Sequence, residues 1–98
     1  MKVIKKLISF DWDEGNIGKN WRKHKVKDKE CEEVFFDNHK KVSKDKLHSK
    51  KEERFIFLGK TKKGRLLYVV FTIRNNETRI ISARDINKKE RKLYEKAT

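Results

Sequence analysis

The sequence has no proline and no internal repeat, so no proline-rich linker divides its 98 residues and no repeat array is implied. Cys31 is the only cysteine, which excludes an intrachain disulfide and suits a reducing compartment. No apolar run approaches the roughly 20 residues that span a bilayer, and no signal peptide with a cleavage site is evident. A soluble, cytoplasmic protein is expected. No cysteine pair, His-x-x-x-His or carboxylate set has metal-ligand spacing, and there is no glycine-rich phosphate loop. No metal or other cofactor is therefore expected. With only 35% hydrophobic residues, the chain supports one modest core, and residues 1–98 are read as one domain.

What the sequence has in quantity is charge. Charged residues make up 44% of it, and the formal net charge is +13. Such a balance attracts nucleic acid, an anionic membrane or an acidic protein. No long basic amphipathic helix stands out, which leaves the membrane the weakest of the three. Three apolar segments, at 55–58, 66–73 and 80–83, argue that the body of the chain folds.

Hydrophobic spacing gives the element order. Residues 2–11 alternate loosely and predict an opening strand. Asp13 is placed to cap a first helix carrying Ile17, Trp21 and His24 or Lys25, although Gly15 and Gly18 weaken it. Asp28 is placed to cap a second, with Cys31, Val34 and Phe35 as its apolar stripe. Residues 38–51 hold eight lysines or histidines and read as a long basic loop with room for a short strand. Strands are predicted over 54–60, 65–74 and 78–84, with Asn75-Asn76 as a turn that tolerates left-handed geometry. Asn87 and Glu90 match a capping box that opens a last helix with Leu93, Tyr94 and Ala97 on one side. The fold class is α+β, in the order β-α-α-β-β-β-α: a small antiparallel sheet with helices packed on one face.

The hairpin carries the functional signal. Arg74, Arg79 and Arg84 lie within eleven residues on strands otherwise suited to a core. Arginine keeps its charge, so each needs a carboxylate, a phosphate or water. Alternation sends Leu67, Val69, Phe71 and Ile73 toward the helices and Tyr68, Val70, Thr72 and Arg74 to the open face. Arg79 and Arg84 are five apart, so only one joins Arg74 unless a bulge intervenes. A two- or four-residue turn selects Arg79; a three-residue turn selects Arg84 with Ser82.

Several segments together resemble the BrnT family of toxins from bacterial type II toxin–antitoxin modules. They are Phe10-Asp11-Trp12-Asp13, Asn20 with Lys23-His24 and Val26, Val34-Phe35 with Asp37, His48, and Glu52-Glu53-Arg54-Phe55. Gly59, Thr72-x-Arg74, the run from Arg79 to Arg84, and Glu90-Arg91 with Tyr94 complete the set in family order. A glycine usually follows the Lys-His pair, where this chain has Lys25. The resemblance implies a RelE-like fold, ribonuclease activity that halts translation and growth, and neutralisation by a BrnA-like antitoxin. It further implies that this antitoxin is a ribbon-helix-helix protein, through which alone the complex reaches operator DNA.

Metal-independent RNA cleavage needs a proton taken from the 2′-hydroxyl, charge stabilised on the phosphate, and a proton given to the leaving 5′-oxygen. Arginines serve the second need by preorganised electrostatics. Arg74 is the leading phosphate ligand, with a cross-strand pair to Glu77 or Glu53 as its structural alternative. Arg79 and Arg84 divide between the open face and salt bridges, and Arg54 between the site and an ion pair with its neighbouring glutamates. His48 suits a proton donor near neutral pH, or is a solvated loop histidine. Lys23 is a weaker catalytic candidate on a helix face shared with Asn20 and His24. Tyr68 is placed to stack on a base, while Tyr94 more naturally anchors the last helix. Lys50, Lys51, Lys62 and Lys63 fit sequence-neutral RNA backbone contacts, as do the pairs Lys40-Lys41 and Lys88-Lys89. The reading is thus a toxin endoribonuclease. Its alternatives are a basic module that grips RNA or ribosomes without cutting, and a structural subunit for an acidic partner.

Overall fold

The computed structural model of the protein describes residues 8–46 and 51–96. In chain order its elements are α1 (Lys19–His24), α2 (Asp28–Glu33) running into a 3-10 turn (Val34–Phe36), β1 (Lys41–Lys44), β2 (Phe55–Lys60), β3 (Leu66–Arg74), β4 (Glu77–Asp85) and α3 (Lys88–Glu95). The four strands form one antiparallel sheet in the order β1-β2-β3-β4. Of the expected opening strand, residues 2–7 lie outside the described residues; Phe10 makes a single parallel bridge to Thr78 on the outer edge of β4. The short strand in the basic segment is β1, which closes the opposite edge.

Alternation along β3 settles the core. Leu67, Val69 and Phe71 are buried together with Phe57, Ile80 and Ala83, against Val26, Cys31, Val34 and Phe35 from the helical layer. Phe35 sits 4.4 Å from Phe57 and 5.1 Å from Phe71, ring centre to ring centre. Gly59 is required where the 3-10 turn crosses β2: a Cβ there would lie 2.8 Å from that of Val34 and 2.6 Å from the Phe57 ring. Ile73 continues the pattern beyond the reach of the helices and is half exposed.

β2 is apolar on both sides, so it needs cover on both. The expectation of helices on one face therefore holds for the α1–α2 layer, while α3 crosses one end of the other face. There Tyr94 packs on Leu58 and Leu66, with Tyr68 and Ile86 alongside. The Asn87–Glu90 capping box opens α3, with bonds of 2.8 and 2.9 Å.

The first helix departs from the predicted apolar stripe. It starts only at Lys19, and Ile17 and Trp21 are exposed; the buried side chain is Asn20. The reason lies at the edge of β4, whose unpaired backbone groups demand polar partners. Asn20 Oδ1 accepts from Ala83 N at 3.0 Å, Asn16 Nδ2 donates to Ile80 O at 3.1 Å, and Lys19 Nζ donates to Ile81 O at 3.1 Å. Lys25 ends α1 in the left-handed region (φ 56°), where the resembled family carries glycine. Asp28 does not cap its own helix; its carboxylate accepts from Gly18 N at 2.9 Å and so ties the two helices together.

Candidate functional site

Two local features decide what the outer face of the sheet displays. Asn75 and Asn76 both have positive φ (50° and 66°) and make a two-residue turn, pairing Arg74 with Glu77 and Thr72 with Arg79. Between Val70 and Phe71 the register slips by one, leaving Ile81 as a bulge. The bulge restores the alternation for the rest of β4, so that Ser82 faces Val70 and Arg84 faces Tyr68. Arg74, Arg79 and Arg84 therefore all belong to the outer face. Arg54, one residue before β2, falls in line with Thr72 and on the same side.

The three hairpin guanidiniums are gathered on one side but not in one place. Thr72 lies across from Arg79 and two residues before Arg74, which groups Arg54, Arg74 and Arg79 at the hairpin end. Arg84 sits opposite Tyr68, six residues along β3, roughly 20 Å away at 3.3 Å per residue. Lys62 and Lys63, on the β2–β3 turn, lie beyond the far end of β3. Lys23 is exposed on α1, the helix that follows the β4 edge. Lys51 is exposed just before β2, and His48 and Lys50 lie outside the described residues.

Each hairpin arginine is held by carboxylates. Arg74 lies side-on to Glu52, with Nε at 3.2 Å and Nη2 at 3.3 Å. The partners expected from sequence are engaged elsewhere: Glu77 accepts from Ser9 Oγ at 2.7 Å, and Glu53 pairs with Lys44 at 2.9 Å. Arg79 is the most enclosed, its side chain 12% exposed, with Asp13 at 2.9 Å and Asp11 at 3.4 Å. The Arg79 hydrogen bond, and then the Gly15 amide, hold the Asp13 carboxyl below its ordinary range; Arg74 adds to this electrostatically. Arg84 forms a fork with Glu90 at 2.9 and 2.8 Å, and its guanidinium lies 4.0 Å from the Tyr68 ring centre. The Arg84 hydrogen bond is the leading cause of the lowered Glu90 pKa. Burial, first among the influences, raises the Tyr68 phenol pKa, although Arg84 pulls it down.

These carboxylates were invisible as partners in the sequence, because the contacts span 66 residues for Arg79–Asp13 and 22 for Arg74–Glu52. A second network was missed for the same reason. Asp37 accepts from Tyr94 Oη at 2.6 Å, Lys60 N at 2.9 Å and His39 N at 3.0 Å. Its role is to pin α3 to the sheet, which places Tyr94 as the anchor it was expected to be. A cleft of about 600 Å³ beside it is lined by Lys29, Phe36, His39 and Lys62, but none of the hairpin arginines reaches it. Arg65 does comparable structural work, bridging Asp85 (2.7 Å), Glu30 (3.1 Å) and the Lys25 carbonyl (2.8 Å).

Chemically, the outer face offers fixed cations and a shallow floor of Ile56, Val70 and Ser82. It also offers an aromatic ring under a guanidinium. Cys31 is no nucleophile: it is fully buried, and burial followed by Asp28, Glu30 and Glu32 pushes its thiol up to about 12. Among the described residues, no group of three His, Cys, Asp or Glu side chains is arranged to hold a metal ion. No helix of these residues is long and apolar enough to cross a membrane.

No curated protein matches the chain. A family model does, over residues 12–90, a span that includes α1, α2, all four strands and the Arg84–Glu90 fork. Its description is a ribonuclease toxin, BrnT, of a type II toxin–antitoxin system, and this chain belongs to that family.

Proposed function

We propose that the chain is a metal-independent endoribonuclease, held in check by a BrnA-like ribbon-helix-helix antitoxin, whose substrate lies across the outer sheet face. Membership of a ribonuclease toxin family supplies the reaction class and implies an antitoxin partner. The observation that carries the site is the grouping of Arg54, Arg74 and Arg79 around Thr72. Cations fixed in advance stabilise a developing phosphorane without reorganisation. Arg74 is the primary phosphate ligand in this reading, being 48% exposed and held by one carboxylate; Arg79 backs it while fixing the 11–13 segment. Tyr68 with Arg84 forms a platform for a base further along the strand. His48 is the proposed proton-transfer group, and Lys51, Lys62 and Lys63 are peripheral backbone contacts.

Expression of the wild-type chain should arrest growth and degrade cellular RNA, and Arg74→Ala should do neither at equal abundance. A second reading, a basic module that binds RNA without cutting, is favoured by one observation: every hairpin guanidinium already has a carboxylate. Tight RNA binding with intact RNA at every dose would select it.

A further inference from the structure

The outer face also carries an apolar groove that shares Ile56 and Tyr68 with the proposed RNA face and extends beyond it to α3. Beside α3, this groove of about 370 Å³ runs along β1 and β2, floored by Ile56, Leu58 and Tyr68, walled by Leu93 on α3 and edged on β1 by Lys41 and Ser43. Leu93 is 54% exposed above this apolar floor, aliphatic surface left open on a chain so rich in charge. The groove's acidic residue, Glu90, is consumed by Arg84 on both oxygens. Its rim is cationic: Lys41 and Lys96 stand at the two sides, and neither has a carboxylate partner among the described residues.

We propose that this groove is the docking site for an acidic amphipathic helix of the antitoxin, whose occupancy covers Tyr68 and Arg84 and so closes the outer face. The occupant follows from complementarity. An apolar floor asks for aliphatic anchors at i, i+3 or i+4, and i+7, and a lysine rim asks for flanking Asp or Glu. A second copy of this chain would bring a further +13 of like charge against the rim. Strand addition to β1 is opposed by the lysines at positions 40, 41, 44 and 46 on that edge. The closure of the RNA face rests on the function proposed above; the docking does not.

The test uses the purified full chain and the antitoxin of its own module. Leu93→Glu and Ser43→Glu place a carboxylate on the α3 wall and on the β1 side of the groove, while neither residue belongs to the RNA site. Each should weaken the complex by about 30-fold in calorimetry, with RNA cleavage and thermal melting unchanged, and should release the toxin from neutralisation. Leu93→Met should bind as wild type. Undiminished affinity in both Glu variants overturns the docking site, as does amide protection confined to β1 that persists in Leu93→Glu. Intact complex formation by a chain that cuts no RNA, lost again in Leu93→Glu, would refute the ribonuclease reading while supporting the groove.

Discussion

Glutamine at position 52 separates a phosphate ligand from a structural arginine. The Arg74–Glu52 pair has its members 48% and 32% exposed at 3.2 Å, so its loss should cost no more than about 1 kcal/mol of stability. For a chain of this size, that limits the fall in Tm to roughly 4–8 °C. The effect on RNA has the opposite sign. A phosphate arriving at Arg74 meets the Glu52 carboxylate on the same guanidinium, and like charges about 4 Å apart repel by about 1 kcal/mol even in bulk water. Glu52→Gln should therefore bind single-stranded RNA roughly five-fold more tightly at low salt. Arg74→Ala should bind more weakly, with its log–log salt slope reduced by about 0.7. Fluorescence anisotropy of a labelled RNA over a salt series reads both. The reasoning requires non-additivity: Glu52→Gln must bring no gain in an Arg74→Ala background. If Glu52→Gln binds RNA no better than wild type, or improves it equally without Arg74, the arginine is not where phosphate sits.

Three further outcomes follow from particular contacts. Tyr94→Phe removes the 2.6 Å bond to Asp37 and should cost about 1–2 kcal/mol, read as a lower Tm with cleavage retained. Lys25→Gly relieves a left-handed residue at φ 56° and should gain about 0.5–1 kcal/mol in denaturant unfolding, after the entropic penalty of glycine. Glu90 and Asp85 are held below their ordinary pKa chiefly by hydrogen bonds from Arg84 and Arg65; Asp37 is also low, where bonds from Tyr94, His39 and Lys60 outweigh burial. Carboxyls depressed in the folded state stabilise it above the unfolded value near 4 and lose that contribution as pH falls through the folded value. Tm should thus be level from pH 7 to 5 and fall below about 4, and Arg84→Ala should flatten the Glu90 share of that fall.

What was legible in the sequence was what local rules govern. The faces of β3 follow from period-two alternation, and the start of α3 follows from a capping box written in four residues. The turn at Asn75-Asn76 is readable, but its length is not, so the sequence leaves Arg79 and Arg84 as alternatives beside Arg74; the two-residue turn selects Arg79. The bulge at Ile81 was not legible, because one extra residue in a hydrophobic strand leaves no compositional trace; yet it alone brings Arg84 to the same face. The first helix misled because its inward residue answers the hydrogen-bonding needs of a strand edge some sixty residues away. Carboxylate partners are likewise long-range, so Glu52 was passed over for Glu53 and Glu77, which are nearer in sequence or pairing. Expected positions at His48 and Lys50 fall outside the described residues.

The central claim is that outer-face arginines hold the scissile phosphate while the 2′-hydroxyl attacks it. Its most direct test is cleavage of one defined RNA in excess EDTA, by wild type and by Arg74→Ala of matched stability, beside the same strand with a single 2′-deoxy substitution at the cut. Wild type should cut the RNA and leave a 5′-hydroxyl end, spare the deoxy position, and lose at least 100-fold in rate with Arg74→Ala. Cleavage that vanishes in EDTA, proceeds at the deoxy position, or survives undiminished in Arg74→Ala would contradict it.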